Sequence, residues 1–182
     1  MTSNTSGQLN TAVGHDALEY GSSGNRNTAI GFEALRVNSA SYYNTGVGAG
    51  ALTDANRTSD TDGYNPALGY NAGNTGTNDV TTGNKNTLLG ASTAASAAAG
   101  SNQSVIGYGA MGQADNSVVL GNADVTAVYM AQDKGATVHA AGADLSGSAG
   151  LILENDETIT NSTDGTVLIN GIVSGGTGSA AG

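Results

Sequence analysis

The chain has 182 residues and a formal net charge of −10, and its hydrophobic fraction of 38% includes only 4% aromatic residues. The five Lys and Arg residues disfavour binding to nucleic acid or to an anionic membrane, because both need clustered cations. The absence of Cys excludes disulfides and thiolate metal sites, and no apolar run is long enough for a transmembrane helix. Large apolar side chains are so scarce that any core must be thin.

A short motif that begins with Asn or Gln and ends with Gly recurs down the chain. Its seven copies are Asn10–Gly14, Asn27–Gly31, Asn44–Gly48, Asn65–Gly69, Asn86–Gly90, Gln103–Gly107 and Asn116–Gly121. Successive glycines are 17, 17, 21, 21, 17 and 14 residues apart, which indicates a unit of about 14 residues with insertions. A second short segment, such as Gly14–Leu18 or Gly31–Leu35, follows most of these glycines. Helical repeats need about 30 residues or more, so this unit favours two short strands joined by turns.

Two neighbouring positions in the motif point to opposite faces, since side chains alternate along a strand. The residue before each glycine is large and aliphatic, and we expect this column to fill the core of a parallel β-solenoid. Its members are Val13, Ile30, Val47, Leu68, Leu89, Ile106 and Leu120. The preceding residue is small or apolar and never charged, so we expect its face to be buried against other copies of the chain. The expected contacts between copies are Ala12, Ala29, Ala67, Leu88, Val105 and Val119.

The recurring glycines predict the corners of stacked coils, because Gly adopts a positive φ at low cost. The predicted corners are Gly14, Gly31, Gly48, Gly69, Gly90, Gly107 and Gly121. The recurring Asn is expected to form a ladder or to cap the turn. Each coil carries only one or two large apolar groups, so we expect oligomerisation to supply the missing burial.

These motifs resemble the head repeats of YadA-like trimeric adhesins and of related phage tail-fibre proteins. The resemblance rests on the sequence Asn-Thr-Ala-Ile-Gly at Asn27–Gly31, on the Gly-Phe/Tyr-x-Ala segments that follow, and on the adhesin-like sequence of Asn116–Gly121. It covers residues 8–125 and implies a left-handed parallel β-roll in a homotrimer that binds surfaces. The sequence shows no signal peptide, coiled-coil stalk or membrane-anchor barrel, and we therefore expect a virion fibre in preference to a bacterial adhesin.

The repeat stops after Gly121, and we expect the solenoid head to occupy residues 1–125. Residues 126–174 are expected to form a small β-rich collar or stem, whose candidate strands alternate with hairpin-type turns. These candidate strands are Leu151–Glu154, Glu157–Asn161 and Thr166–Val173. Residues 175–182 are rich in Gly, Ser and Ala and are expected to be a flexible tail or a junction to another part.

The insertions are the best candidates for binding, because insertions at one place in a solenoid stack on one side and often form the binding face. They are Glu19–Arg26, Arg36–Tyr43, Thr53–Tyr64 and Asn74–Lys85. Some of their residues carry aromatic and hydrogen-bonding groups that can contact sugars. The candidate receptor contacts are Tyr42, Tyr43, Arg57 and Tyr64. The alternative is sequence drift in loops under little constraint.

We predict no catalytic, cofactor or metal site. Asp60 and Asp62 hint at a calcium loop, but no Glu follows at the distance that a bidentate ligand requires. His15 occupies the repeat position of Phe32 and Tyr70, which makes it a repeat side chain and not an acid–base group. The sequence lacks the motifs of serine hydrolases, phosphate loops and zinc proteases, so we expect no enzymatic activity.

These features, together with the resemblance to trimeric adhesin heads and tail fibres, predict a trimeric fibre or spike of a virion, similar to a tail fibre, that attaches to a host surface through a glycan or protein receptor. Its expected partners are sister copies, the receptor and other virion proteins, with no nucleic acid and no membrane insertion. The alternatives are the passenger head of a bacterial trimeric autotransporter adhesin, a purely structural filament, and an ice- or surface-binding solenoid. The last alternative rests on a possible threonine ladder of Thr11, Thr28, Thr45 and Thr87.

Overall fold

A computed structural model, which describes residues 3–55, 61–132 and 138, shows an all-β solenoid of about six turns. The strands are β1 (Thr11–Val13), β2 (Thr28–Ile30), β3 (Ser41–Tyr42), β4 (Thr45–Val47), β5 (Thr61–Asp62), β6 (Pro66–Leu68), β7 (Thr87–Leu89), β8 (Gln103–Ile106) and β9 (Ser117–Leu120). The main sheet is parallel in the order β1-β2-β4-β6-β7-β8-β9, and β3 pairs in parallel with β5. The predicted parallel β-solenoid is confirmed, whereas most of the predicted collar and all of the predicted tail lie outside the described residues.

The repeat glycines stack on one another as corners of the coils. The backbone N–H of Gly31 donates to the carbonyl of Val13 at 2.8 Å, and the same bond recurs in every later coil up to Gly121. The seven predicted corner glycines all have positive φ angles, from 89° to 142°. An added Cβ at Gly90 would lie 2.6 Å from the carbonyl oxygen of Gly107. The predicted corners are confirmed, and both the φ angle and the close backbone stacking require glycine.

The two faces of the main sheet are reversed relative to the sequence prediction. The aliphatic column expected in the core faces outward, and Val13 and Leu68 are 56% and 51% exposed. This outward column comprises Val13, Ile30, Val47, Leu68, Leu89, Ile106 and Leu120. The column expected between copies lies inside the same chain, where four members are buried and two are partly buried against the core. Its members are Ala29, Ala67, Leu88 and Val105, with Ala12 and Val119 partly buried. Both sequence assignments are therefore wrong.

The reversal follows from the volume of the interior, which the second segment of each coil already fills. Leu18, Leu35 and Leu52 follow the first three corners, and each is at most 1% exposed. The sheet residue that meets them must be small, because a Cβ added at Gly46 would lie only 3.2 Å from Cγ of Leu35. Alternation places the two sheet columns on different faces but does not decide which face is inside. The packing of the leucines decides it.

The interior of the coil remains filled where the repeat departs from this pattern. Gly73 stands in the position of the core leucine, and an added Cβ there would lie 2.6 Å from Cδ2 of Leu52 and 2.9 Å from Cδ1 of Leu88. Val80, in the insertion that follows, is 1% exposed and belongs to the same core cluster. Its N–H donates to the carbonyl of Gly73 at 2.9 Å. Leu88 and Val80 therefore occupy the volume that Gly73 leaves, as close packing requires.

The side chains of the repeat Asn residues form a buried ladder just before the strands of the main sheet. Oδ1 of Asn10 accepts the backbone N–H of Asn27 at 2.8 Å, and the same bond joins each later pair of coils up to Gln103. Nδ2 of Asn65 donates to the carbonyl of Gly83 at 2.9 Å and to Oδ1 of Asn44 at 3.1 Å. The expected ladder is confirmed, and it satisfies buried polar groups that the short strands leave without a partner.

Replacing Gly90 by Ala is expected to lower the free energy of unfolding by about 2 kcal/mol or more. Its φ of +136° is unfavourable for Ala, and the new methyl group would press on the backbone of Gly107. Gly76→Ala is the control, because its φ is +83° but nothing lies within 4 Å of an added Cβ. We expect the control to cost about 1 kcal/mol. Urea unfolding measures both values, and equal losses would contradict close stacking at the corner.

Replacing Asn65 by Asp is expected to lower the free energy of unfolding by about 3 kcal/mol at neutral pH. The carboxylate would lose both donated hydrogen bonds and would face the oxygens of Gly83 and Asn44. Burial beside acceptors should raise the pKa of the new carboxyl above its unfolded value of about 3.9. The loss should therefore be smallest below about pH 4 and should grow as the pH rises through the folded pKa.

Urea unfolding of this variant and of the wild type across that pH range tests the expectation. The control is Asn25→Asp, because the side-chain oxygen of Asn25 accepts the N–H of Gln8 and a carboxylate would keep that bond. We expect the control to change the free energy of unfolding by no more than about 0.5 kcal/mol. A loss at Asn65 that does not depend on pH would show that the ladder position is not buried among acceptors.

Candidate functional site

The residue before each repeat Asn from Asn10 to Asn86, before Gln103, and before Ser117, which pairs with Gln103, forms an outward column at the corner beside the buried ladder. All members adopt left-handed φ angles between 48° and 60°. They are Leu9, Arg26, Tyr43, Tyr64, Lys85, Asn102 and Asn116. Backbone hydrogen bonds hold successive coils together here, from Tyr43 N to Asn25 O at 3.2 Å and from Lys85 N to Gly63 O at 2.8 Å. The column therefore places side chains from successive coils next to one another.

Aromatic and cationic groups meet in the centre of this column. The rings of Tyr43 and Tyr64 are stacked, with centroids 4.8 Å apart and planes 7° from parallel. One coil earlier, Nη1 of Arg26 donates to the hydroxyl oxygen of Tyr43 at 3.3 Å, and its Cζ lies 5.6 Å from the ring centroid. Tyr42 meets Tyr43 edge-on, with centroids 6.5 Å apart. Lys85 takes the same position in the coil after Tyr64.

The cations in the described part of the chain differ in their partners. Nε of Arg36 lies 3.1 Å from Oε2 of Glu19, and its Nη1 lies 3.3 Å from Oε1 of Glu33. The hydrogen bond with Glu19 raises the pKa of Arg36. Among the side chains that the structure describes, no carboxylate forms an ion pair with Arg26 or Lys85. We call these two cations and the two stacked tyrosines, Arg26, Tyr43, Tyr64 and Lys85, the cationic strip.

Three of the four predicted receptor contacts, Tyr42, Tyr43 and Tyr64, lie together at this strip. The fourth, Arg57, lies outside the described residues. Sequence reasoning missed Arg26 and Lys85. The strip residues are the last residues of the four predicted insertions, so the missed signal was the position that precedes each repeat Asn. Comparing the residue at this position across the aligned copies would have found it.

The outward aliphatic column of the main sheet is a second candidate surface, which we call the apolar sheet face. It comprises Val13, Ile30, Val47, Leu68, Leu89, Ile106 and Leu120. Phe32, Tyr70 and Tyr108 follow the corner glycines and are 52–74% exposed. None of the residues in the seven strands of the main sheet is charged. A shallow groove of about 320 Å³ lies on this face beside Val47, Leu68 and Leu89.

The described residues contain no group of three His, Asp or Glu side chains that could hold a metal ion. Nδ1 of His15 lies 3.0 Å from Oδ2 of Asp16, and its ring stacks on Phe32 with centroids 5.8 Å apart. His15 therefore contacts the equivalent residue of the next coil. Asp60, in the candidate calcium sequence, lies outside the described residues. Within the described part of the chain no helix is long and apolar enough to cross a membrane.

No protein-family model, no curated protein and no solved structure matches this chain. The function must therefore be inferred from the cationic strip, the apolar sheet face and the amino-acid sequence of the repeats.

Proposed function

We propose that the chain is one subunit of a homotrimeric fibre or spike of a virion, which attaches to a host cell surface through glycans contacted by its lateral loops. The observation that carries this proposal is the apolar sheet face. Its side chains stack in adjacent coils along the whole main sheet, and six of the seven are 36–56% exposed in the single chain. A continuous apolar surface of this kind marks an interaction site.

Burial and charge both support sister copies as the occupants of this face. The interior consists mainly of alanine and a few larger aliphatic residues, so one chain buries little apolar surface, and contact between copies would add the missing burial. The main sheet contributes no charge to the face, so association here would not bury any like charges of its strands between copies. The number three and the virion location rest on the resemblance of the repeats to tail-fibre and adhesin heads.

The same trimer would serve as the passenger head of a bacterial trimeric autotransporter adhesin, or as a structural filament without a receptor. Mass spectrometry of purified virions and of the bacterial surface fraction distinguishes these locations. We expect the protein in the virions.

Ice or crystal-surface binding is a second candidate function, and one observation favours it. Thr11, Thr28 and Thr45 pair in register in adjacent strands, on the outward face of the sheet. Pro66 interrupts this ladder in the next strand, and the neighbouring column is large and aliphatic, which suits contact with protein. A thermal-hysteresis measurement tests this function directly, and we expect no activity.

Replacing Leu68 by Asp is expected to convert the trimer into a folded monomer. Leu68 is 51% exposed in the single chain, so a carboxylate there is solvated in the monomer but would be desolvated in the trimer, at a cost of about 3 kcal/mol or more per subunit. Ala67→Asp should instead prevent folding, because Ala67 is 1% exposed inside the coil. Sedimentation velocity gives the oligomeric state, and circular dichroism gives the strand content.

The matched control is Met111→Asp, which adds the same charge at a site that is 44% exposed and lies outside the main sheet. This variant should remain a trimer. A monomeric wild type, or a Leu68→Asp variant that sediments as the wild type does, would rule out association through the apolar sheet face.

A further inference from the structure

We propose that the cationic strip binds an acidic saccharide, with Arg26 and Lys85 contacting carboxylate or sulfate groups and the tyrosines contacting the sugar hydroxyls between them. This inference deepens the proposed attachment function, since it names the class of glycan and the residues that recognise it. It rests on the backbone conformation of the strip, on its charge, and on the arrangement of its side chains.

The backbone conformation shows that the fold itself does not require these side chains. Each strip residue adopts a left-handed φ of 48–59°, which costs a bulky residue about 1 kcal/mol relative to Asn or Gly. The same position holds Asn102 and Asn116 in the last coils, with φ of 54° and 58°. Leu18, Leu35 and Leu52 are also left-handed, but their burial offsets the strain. The strip residues have no comparable burial, but Leu9 in the same column is also left-handed and 72% exposed, so the strain permits a binding role and the charge and side-chain contacts of the strip carry the argument.

The charge of the strip is opposite to that of the chain. The chain has 15 acidic residues and five Lys and Arg residues, yet both cations of the strip lie on one edge of the solenoid. In the described part of the chain, carboxylates neutralise Arg36 but not Arg26 or Lys85. The strip therefore offers local positive charge to an anionic ligand, while the acidic remainder of the chain repels polyanions that contact a wider surface.

Three side chains of the strip, those of Arg26, Tyr43 and Tyr64, contact one another before any ligand arrives. Arg26 lies over the ring of Tyr43 and donates one N–H to the hydroxyl oxygen of that residue. Four of its five guanidinium N–H groups remain for other acceptors. A guanidinium fixed in this way can bind a carboxylate through two parallel hydrogen bonds with little loss of entropy. Lys85 lies three coils further along, which places its backbone about 14 Å from that of Arg26. The ligand is therefore a chain of several sugars that carries more than one acidic group.

The stacking also argues against a neutral sugar at Tyr43. Arg26 comes from the coil before Tyr43 and Tyr64 from the coil after it, so both faces of the Tyr43 ring are covered. The ring presents its edge and its hydroxyl to a ligand, and not the open face on which a neutral sugar would stack. Nucleic acid is also disfavoured, because two cations give only a small gain from counterion release.

The test is isothermal titration calorimetry of the full chain with three probes of equal length. These are hexagalacturonate, which carries carboxylates, a heparin hexasaccharide, which also carries sulfates, and neutral maltohexaose. We expect at least one acidic probe to bind and maltohexaose not to bind. Binding should weaken as the salt concentration rises. Arg26→Asn and Lys85→Asn should each weaken binding by roughly tenfold, because each removes a charged hydrogen-bond donor.

Asn is the replacement of choice because the same column already holds Asn102 and Asn116 at left-handed φ angles. Both variants should therefore fold, with thermal midpoints equal to or above that of the wild type. Arg36→Gln is the matched control, since it removes the same charge from an arginine outside the strip. This control should bind the acidic probe as the wild type does.

Four results would overturn the inference: no binding of either acidic probe, equal binding of maltohexaose, equal loss in Arg36→Gln, or equally tight binding of a single-stranded oligonucleotide. Sedimentation of the same samples separates this inference from the fibre proposal. A trimer that binds neither acidic probe refutes the strip and leaves the fibre. A monomer that binds through Arg26 and Lys85 refutes the trimeric fibre and leaves the strip.

Discussion

The interior of each coil has room for about one large side chain, and this limit determines the rest of the structure. Where Leu35 is buried after the corner, the sheet contributes Ala29, and where the sheet contributes Leu88, the residue after the corner is Ala94. The second large residue of each coil must then lie outside. A narrow core does not require the outward residue to be apolar, so the aliphatic sheet face is a separate feature, and it is the one that contact between copies would bury.

Sequence predicted the path of the backbone well, because the signals for that path are local and periodic. Gly90 must be glycine for reasons of φ and contact, and Asn65 must be Asn for its donors and acceptor, so both recur in register. Which face of the main sheet lies inside the coil was harder to predict. Both sheet columns are apolar, and the alternation of side chains gives no preference for either one. The deciding information lies in the buried Leu18, Leu35 and Leu52 of the other segment, and it becomes usable only when the two segments are packed together.

The candidate site was predicted in part, for a similar reason. The position of the insertions and their aromatic residues pointed to Tyr42, Tyr43 and Tyr64, since tyrosines in stacked loops are suited to binding. These features gave no reason to group Arg26 with Lys85, which are separated by 59 residues in the chain. They lie on one edge because each directly precedes a repeat Asn, and the Asn ladder stacks these positions in successive coils.

The apolar sheet face and the cationic strip share no residue, so association through the apolar sheet face would not use any residue of the cationic strip. This separation matters because two cations give only a modest affinity for an acidic glycan. In the proposed trimer three strips belong to one particle, and binding at one strip raises the effective concentration of glycan at the others. Avidity of this kind can exceed the single-site affinity by about 10²-fold without any new contact. In the proposed trimer the narrow core would thus link stability to function, because the contact between copies that supplies the missing burial would also turn a weak site into an effective one.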